Sequence, residues 1–219
     1  MADSLSDPDL QPLQQQLGYE FHNTQLLRQA LTHKSYAKDN NERLEFVGDA
    51  VLGYLVGSML YRQYPAVQED ALSLMRAELV RGRTLALLAK ELDLARLLRL
   101  GRGELKSGGR HRDSILANAV EAIIGAAHED GGIQACATLV DKLYAERVQH
   151  LDAESLKDAK TQLQELLQGR GLDLPVYEVE YITGADHQRQ YSVSCSVAAL
   201  EQSASASASS RRGAEKAAA

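Results

Sequence analysis

The chain has 219 residues, 44% of them hydrophobic, enough for one large domain or two small ones with packed cores. A formal net charge of -6 argues against a protein that holds nucleic acid by bulk charge alone. The opening MADSLSDPDLQPLQQQL has neither a basic leader nor a long apolar run. No signal peptide and no membrane span are therefore expected, and Cys136 and Cys195 read as buried thiols of a protein in the reducing cytoplasm.

In chain order, Leu10 to Leu17 predicts a short amphipathic helix, and Asn23 caps a second one carrying Leu26, Leu27, Ala30 and Leu31. His33, Lys34 and Ser35 fall in a polar loop that ends at Asn40 and Asn41, either of which can cap the next helix. That helix, NNERLEFVGDAVLGYLVGSML from Asn40 to Leu60, is apolar nearly all round, which predicts burial, yet it carries Glu45 and Asp49 on the face of Leu52, Val56 and Leu60. Pro65 closes it. Glu69 to Val80 and Arg83 to Leu92 continue the helical period, and no alternating pattern occurs before residue 150.

Gly101 to Gly109 is glycine-rich but lacks the spacing of a P-loop, and it reads as a mobile connector. Ser114 to Asp130 is a second strongly apolar helix, interrupted by Asn118 and Glu121 at i and i+3. Beside them, Ala122 and Gly125 are small enough to let another helix pass close by. Gly131-Gly132 ends it, and a last helix runs to about Val148.

Residues 151–160 are polar without a continuous apolar face, so they read as a linker between a domain at 1–150 and another at 161–219. Thr161 to Gln168 predicts a short helix with Leu163, Leu166 and Leu167 inward. Val176 to Ile182 alternates, with Tyr177, Val179 and Tyr181 opposite Glu178 and Glu180. After a turn at 184–187 the run from Tyr191 alternates again, which makes a hairpin. The Ser/Ala run 201–210 is poorly suited to a strand. Arg211 starts a final helix within a local basic cluster, and such a cluster can grip phosphate whatever the total charge.

Two helices that each offer two oxygen ligands suit a hard cation, which activates water and neutralises charge on phosphate. Against this stands the reading of a solvated helix start whose acids favour the N-terminal dipole. No cysteine is near, and no histidine pair has zinc spacing. An all-helical magnesium hydrolase of nucleotides also fits the first domain, but it leaves the second without a purpose.

The run Asn41 to Leu52, NERLEFVGDAVL with its leading Asn, resembles the signature of bacterial ribonuclease III. The likeness continues through Met75-Arg76-Ala77, Val80-Arg81, Gly103 to Gly109 and Ser114 to Gly125. The second domain resembles a double-stranded-RNA-binding domain: helix, three-stranded sheet, helix. The resemblance implies an all-α nuclease domain followed by a small α+β domain, α-β-β-β-α. It also implies a cytoplasmic homodimer that cuts both strands of duplex RNA to 5′-phosphate and 3′-hydroxyl ends with short 3′ overhangs, using magnesium or, in its place, manganese. Processing of ribosomal, messenger and other structured RNA is the corresponding role.

Carried over by residue, the resemblance makes Glu45, Asp49 and Glu121 metal ligands, with Asp49 and Glu121 catalytic. The fourth ligand position, usually Asp, is Asn118 here, which removes a charge. A cleavage-impaired duplex-RNA-binding protein is therefore the alternative. Glu42 and Glu69 match acids at the edge of the cleft, and Phe46 matches a residue that inserts into the partner subunit, its other reading being an ordinary core phenylalanine. In the second domain Thr161, Gln164 and Glu165 match the first-helix face that meets a minor groove, and His187 matches the hairpin loop that enters the next. Arg211, Arg212 and Lys216 match the phosphate clamp between them. Two departures stand out: Ala206 and Ala208 replace the family's glycines, and the final helix is shorter than usual.

Overall fold

The computed structural model describes residues 7–152, 158–185 and 188–219. The chain divides into two compact units, Met1–Ala153 and Glu154–Ala219. The first is helical: α1 (Asp7–Leu17), α2 (Thr24–Ala30), α3 (Glu42–Gln63), α4 (Glu69–Val80), α5 (Gly82–Glu91), α6 (Leu94–Leu97), α7 (Arg102–Lys106) and α8 (Asp113–Gln149). Among its described residues the β pairing is one isolated parallel bridge, Thr32 to Arg99, too short to make a strand.

Caps fix where the helices begin. The Asn23 side chain accepts from the Gln25 amide at 3.1 Å and starts α2. At α3 both candidate caps contribute, since Asn41 holds the cap position while the Asn40 side chain accepts from the Glu42 amide at 3.0 Å. The apolar character of α3 does not bring burial all round. Leu44, Gly48, Leu52, Leu55, Val56 and Leu60 form the buried stripe, whereas Phe46 is 80% exposed, Tyr54 64% and Tyr61 74%. By length and composition α3 is apolar enough to cross a membrane, and its packing against α8 accounts for the buried part of that apolarity.

Contact between α3 and α8 dominates the unit, and it is made backbone to backbone. A Cβ on Gly48 would overlap the Glu121 carbonyl, and one on Gly125 would overlap the Leu44 carbonyl. Only glycine permits this approach at both positions. Beyond the crossing α8 breaks at Gly132, whose φ of 68° and ψ of -166° lie outside the helical region, so two helical pieces share the element. Just before the break, the Asp130 carboxylate accepts from the Tyr19 hydroxyl (2.7 Å) and from the His22 and Asn23 amides (both 2.8 Å), which ties the α1–α2 connection to α8.

The glycine-rich stretch 101–109 is not a loose connector. It holds α7 and a following 3-10 turn, anchored by the Gly101 amide on Ser35 Oγ at 3.0 Å and by Arg112 on Glu104 at 2.6 Å. Both cysteines are free and buried.

The second unit runs α9 (Ala159–Gly169), β1 (Val176–Thr183), β2 (Gln190–Val197), β3 (Gln202–Ala208) and α10 (Arg211–Ala218), with an antiparallel sheet in the order β1-β2-β3. Asp158 caps α9, accepting from the Thr161 amide at 3.2 Å. The helix therefore takes in Ala159 and Lys160, which the sequence pattern assigns to the linker. On α9 Leu167 is buried and Leu163 half-buried, and Leu166, expected inward, is 49% exposed. A bulge between Val179 and Tyr181 interrupts the alternation of β1 and leaves Tyr181 outside.

The Ser/Ala run does form a strand. Its backbone pairs with β2 from Tyr191↔Ala208 to Val197↔Gln202, and ladder bonds to an already twisted hairpin outweigh the poor intrinsic preference of Ser and Ala. Its alternate alanines lie opposite Val193 and Cys195, where larger side chains fill the core instead.

If the crossing is as tight as these overlaps show, Gly48→Ala costs about 1–3 kcal/mol or more through overpacking. That lowers the melting temperature by about 4–10 °C. Gly103→Ala, with open space around its Cβ position, should leave the melt unchanged. Thermal unfolding followed by circular dichroism checks both.

Candidate functional site

The crossing decides which side chains face one another. Gly48 lies between Glu45 and Asp49 on α3, and its contact on α8 is the Glu121 carbonyl. Glu45 and Asp49 are thereby brought to Glu121, and Asn118, one turn earlier on α8, hydrogen-bonds Glu45. Glu45, Asn118 and Glu121 are half-buried and Asp49 is exposed. The electrostatic signature of the cluster is Glu121, pushed up to about 7 first by burial and then by the Asp49 and Glu45 charges. Burial also raises Glu45. The Asn118 amide works against that rise, as an N–H donor favours the charged carboxylate.

Three mutually repelling carboxylates and one amide oxygen make a donor set for a hard cation. Among the described residues no three Asp, Glu, His or Cys side chains already close on one point. The fit therefore rests on donor type and on the raised Glu121, whose burden a divalent cation relieves. The site contains no cysteine, and Nδ1 of the nearby His33 is engaged with Ser35 Oγ at 2.8 Å, which leaves zinc disfavoured.

Beside Glu45 and Asn118 opens a cleft of about 450 Å³. Its walls hold two ion pairs, Lys34–Glu42 at 2.8 Å and Arg112–Glu104 at 2.6 Å. Asn41, 2% exposed, also lines it, with its Nδ2 buried and lacking a partner. Glu42 thus stands in the wall of this cleft. Glu69 does not join the four: at the start of α4 its carboxylate accepts from Ser73 Oγ at 2.9 Å. From sequence, His33 is weighed only as a zinc ligand and Lys34 only as loop, and neither Glu104 nor Arg112 is assigned to the site. Their signal was the charge pattern flanking the carboxylate helices.

Phe46 is not a core residue. It projects from α3 with Tyr54 and Tyr61, which the sequence reading did not single out, although i, i+8 and i+15 place all three on one side of the helix.

In the second unit a cleft of about 490 Å³ between α9 and α10 is lined by Thr161, Gln164, Arg211, Arg212 and Lys216, so five of the seven residues assigned there to RNA are brought together. Glu165 is exposed on α9, and His187 lies outside the described residues. Ser210 caps α10, accepting from the Gly213 amide at 3.1 Å.

The raised Glu121 predicts a pH dependence. Moving from 4.5 to about 7, the carboxyl binds its proton more tightly in the folded chain. Its contribution to stability is therefore complete below about pH 4.5 and is lost as pH rises toward 7. In EDTA, the melting temperature of Glu121→Gln relative to the unsubstituted chain should climb across that window and level off above it. A difference that is flat from pH 4.5 to 8 contradicts the buried cluster.

Comparison with known proteins identifies the family. Residues 23–148 match the family model described as Ribonuclease-III-like, and residues 159–219 match the double-stranded RNA binding motif. A crystal structure of the nuclease domain of ribonuclease III from Campylobacter jejuni is 41% identical, with TM-score 0.62, covering 66% of this chain and 99% of that one. A second structure of that domain, which concerns structural flexibility in the region involved in dimer formation, is 42% identical with TM-score 0.61, covering 63% and 96%. With its carboxylate-bearing helical unit and its α-β-β-β-α unit each matched, the chain belongs to the ribonuclease III family.

Proposed function

We propose that this protein is a magnesium-dependent endoribonuclease that hydrolyses both strands of duplex RNA as a homodimer and leaves 5′-phosphate and 3′-hydroxyl ends. Processing of ribosomal and messenger RNA precursors is the role this activity fits. The observation that carries the reading is the facing of Glu45 and Asp49 on α3 against Asn118 and Glu121 on α8. Family membership supplies the reaction class, and the second unit supplies a surface for A-form duplex.

Glu45, Asp49 and Glu121 are the residues that would hold the cation, with Asn118 orienting Glu45 through its amide. Magnesium, or manganese in its place, would supply there the polarisation of the phosphodiester and the activation of water. Glu121, raised by burial and by its neighbours' charges, holds a proton near neutral pH that it would have to release to serve as a ligand. Lys34 and Arg112 keep Glu42 and Glu104 paired beside the cluster, which holds the cleft wall in place without adding net negative charge.

Two strands need two cuts, and the exposed stripe of Phe46, Tyr54 and Tyr61 runs along the helix that carries Glu45 and Asp49. Apolar side chains so exposed mark an interface, and a second copy covering them places two carboxylate clusters in one assembly. Phe46→Ala should shift the protein toward monomer in sedimentation velocity at micromolar concentration. A chain that is monomeric without any substitution contradicts this part of the proposal.

Asn118 supports a second reading, a duplex-RNA-binding protein with weak cleavage, because the cluster carries one charge fewer than the family pattern. One assay separates the two: gel analysis of a long RNA duplex incubated with magnesium, calcium or EDTA. Cleavage with magnesium alone, abolished by Glu121→Gln while duplex binding persists, supports the nuclease. Binding without cleavage supports the second reading, and Asn118→Asp should then restore cutting.

A further inference from the structure

The RNA-facing cleft of the second unit contains two carboxylates that the phosphate-clamp reading does not use. Glu215, with its side chain 13% exposed, pairs with Lys160 at 2.6 Å and with Arg211 at 2.9 Å. Asp158 pairs with Lys216 at 2.8 Å while also capping α9. Lys160 is further held over the Tyr177 ring, 4.3 Å from its centroid. Three of the four cations in the cleft are thus engaged within the protein, and Arg212 alone has no ion pair among the described residues.

The charge balance of the unit runs the same way. From Asp158 to Ala219 the sequence holds eight Asp or Glu against six Lys or Arg, an unusual sign for a surface that meets a polyanion. Long-range attraction to RNA is therefore weak, and the grip depends on a few local cations whose charge the two carboxylates offset. Both carboxyls are held below the usual range, Glu215 chiefly by Lys160 and then Arg211, and Asp158 chiefly by Lys216, so they stay ionised at neutral pH.

We propose that Asp158 and Glu215 are affinity-setting residues. They hold Lys216, Arg211 and Lys160 in intramolecular ion pairs that a duplex must displace, so RNA is bound by exchange of partners and released readily. The proposal rests on the reading of α10 as a phosphate clamp and deepens it. A phosphate that arrives at Arg211 or Lys216 replaces an existing carboxylate partner instead of meeting a free cation, so each contact gains less and fewer counterions are released per phosphate. For an enzyme that must let go of two cut ends after each turnover, a restrained clamp keeps product release from becoming limiting.

The test is binding of a fluorescent RNA duplex of about 20 base pairs, long enough for the full contact. The full-length protein is used in EDTA, and anisotropy is followed across a series of potassium chloride concentrations. Glu215→Gln preserves length and hydrogen bonding, and Asp158→Asn preserves the cap, since Asn caps as well as Asp. Each should tighten binding about three- to tenfold at moderate salt and steepen the salt slope by about one.

Unchanged or weaker binding in both variants overturns the proposal; a loss of affinity shows that the carboxylates position the cations instead of restraining them. Thermal melts accompany the measurement, and Asp158→Asn carries the test if Glu215→Gln melts early. Arg212→Ala keeps the two claims apart. If it leaves affinity intact, the clamp reading itself fails; if it weakens binding while the carboxylate variants do nothing, only the restraint is wrong.

Discussion

Where α3 crosses α8, main chain rests on main chain: Gly48 lies against the Glu121 carbonyl and Gly125 against that of Leu44. Side chains normally hold helices apart, and here the missing Cβ atoms let the axes approach until the polar residues next to the glycines face one another. Glu45 and Asp49 flank Gly48, and Asn118 and Glu121 precede Gly125 by seven and four residues, so the contact that packs the core also builds the carboxylate cluster. The raised Glu121 is the electrostatic cost of that arrangement. The remaining apolar residues of α3 divide between a stripe buried on α8 and a stripe left outside at Phe46, Tyr54 and Tyr61.

That division explains what the sequence could and could not reveal. Helical period, caps and the misplaced carboxylates were all readable, because each is local: Asn23 caps α2, and Gly125 permits a close helix. The side of α3 that points outward was not readable. A helix that leaves one apolar stripe exposed has the same composition as one buried all round in its own core. Likewise Gly101 to Gly109 looked like a loop by composition, yet a contact from Ser35, distant in sequence, and an ion pair between Glu104 and Arg112 just beyond the stretch order it into α7 and a turn.

In the second unit the failures were tertiary as well. The Ser/Ala run forms β3 because β2 presents a complete ladder of partners, a circumstance no local preference encodes. Leu166 turned outward because α9 turns only the i, i+4 pair Leu163 and Leu167 inward. The basic residues at Arg211, Arg212 and Lys216 were legible as a cluster. Arg211 and Glu215 form a local i, i+4 pair, but the pairing of Lys216 with Asp158 was not legible, since Asp158 lies more than fifty residues earlier. In both proposals carboxylates act at a phosphate surface: in the first unit they would gather positive charge from solution, in the second they would restrain charge already present.

The central claim is that the glycine crossing builds a cation site between α3 and α8. Anomalous scattering from crystals of the full-length protein grown with manganese tests it most directly. The account predicts a peak bounded by the carboxylates of Glu45, Asp49 and Glu121, present in the unsubstituted protein and lost in Glu121→Gln. Manganese bound elsewhere, or a peak between the helices that persists without the Glu121 carboxylate, would contradict it.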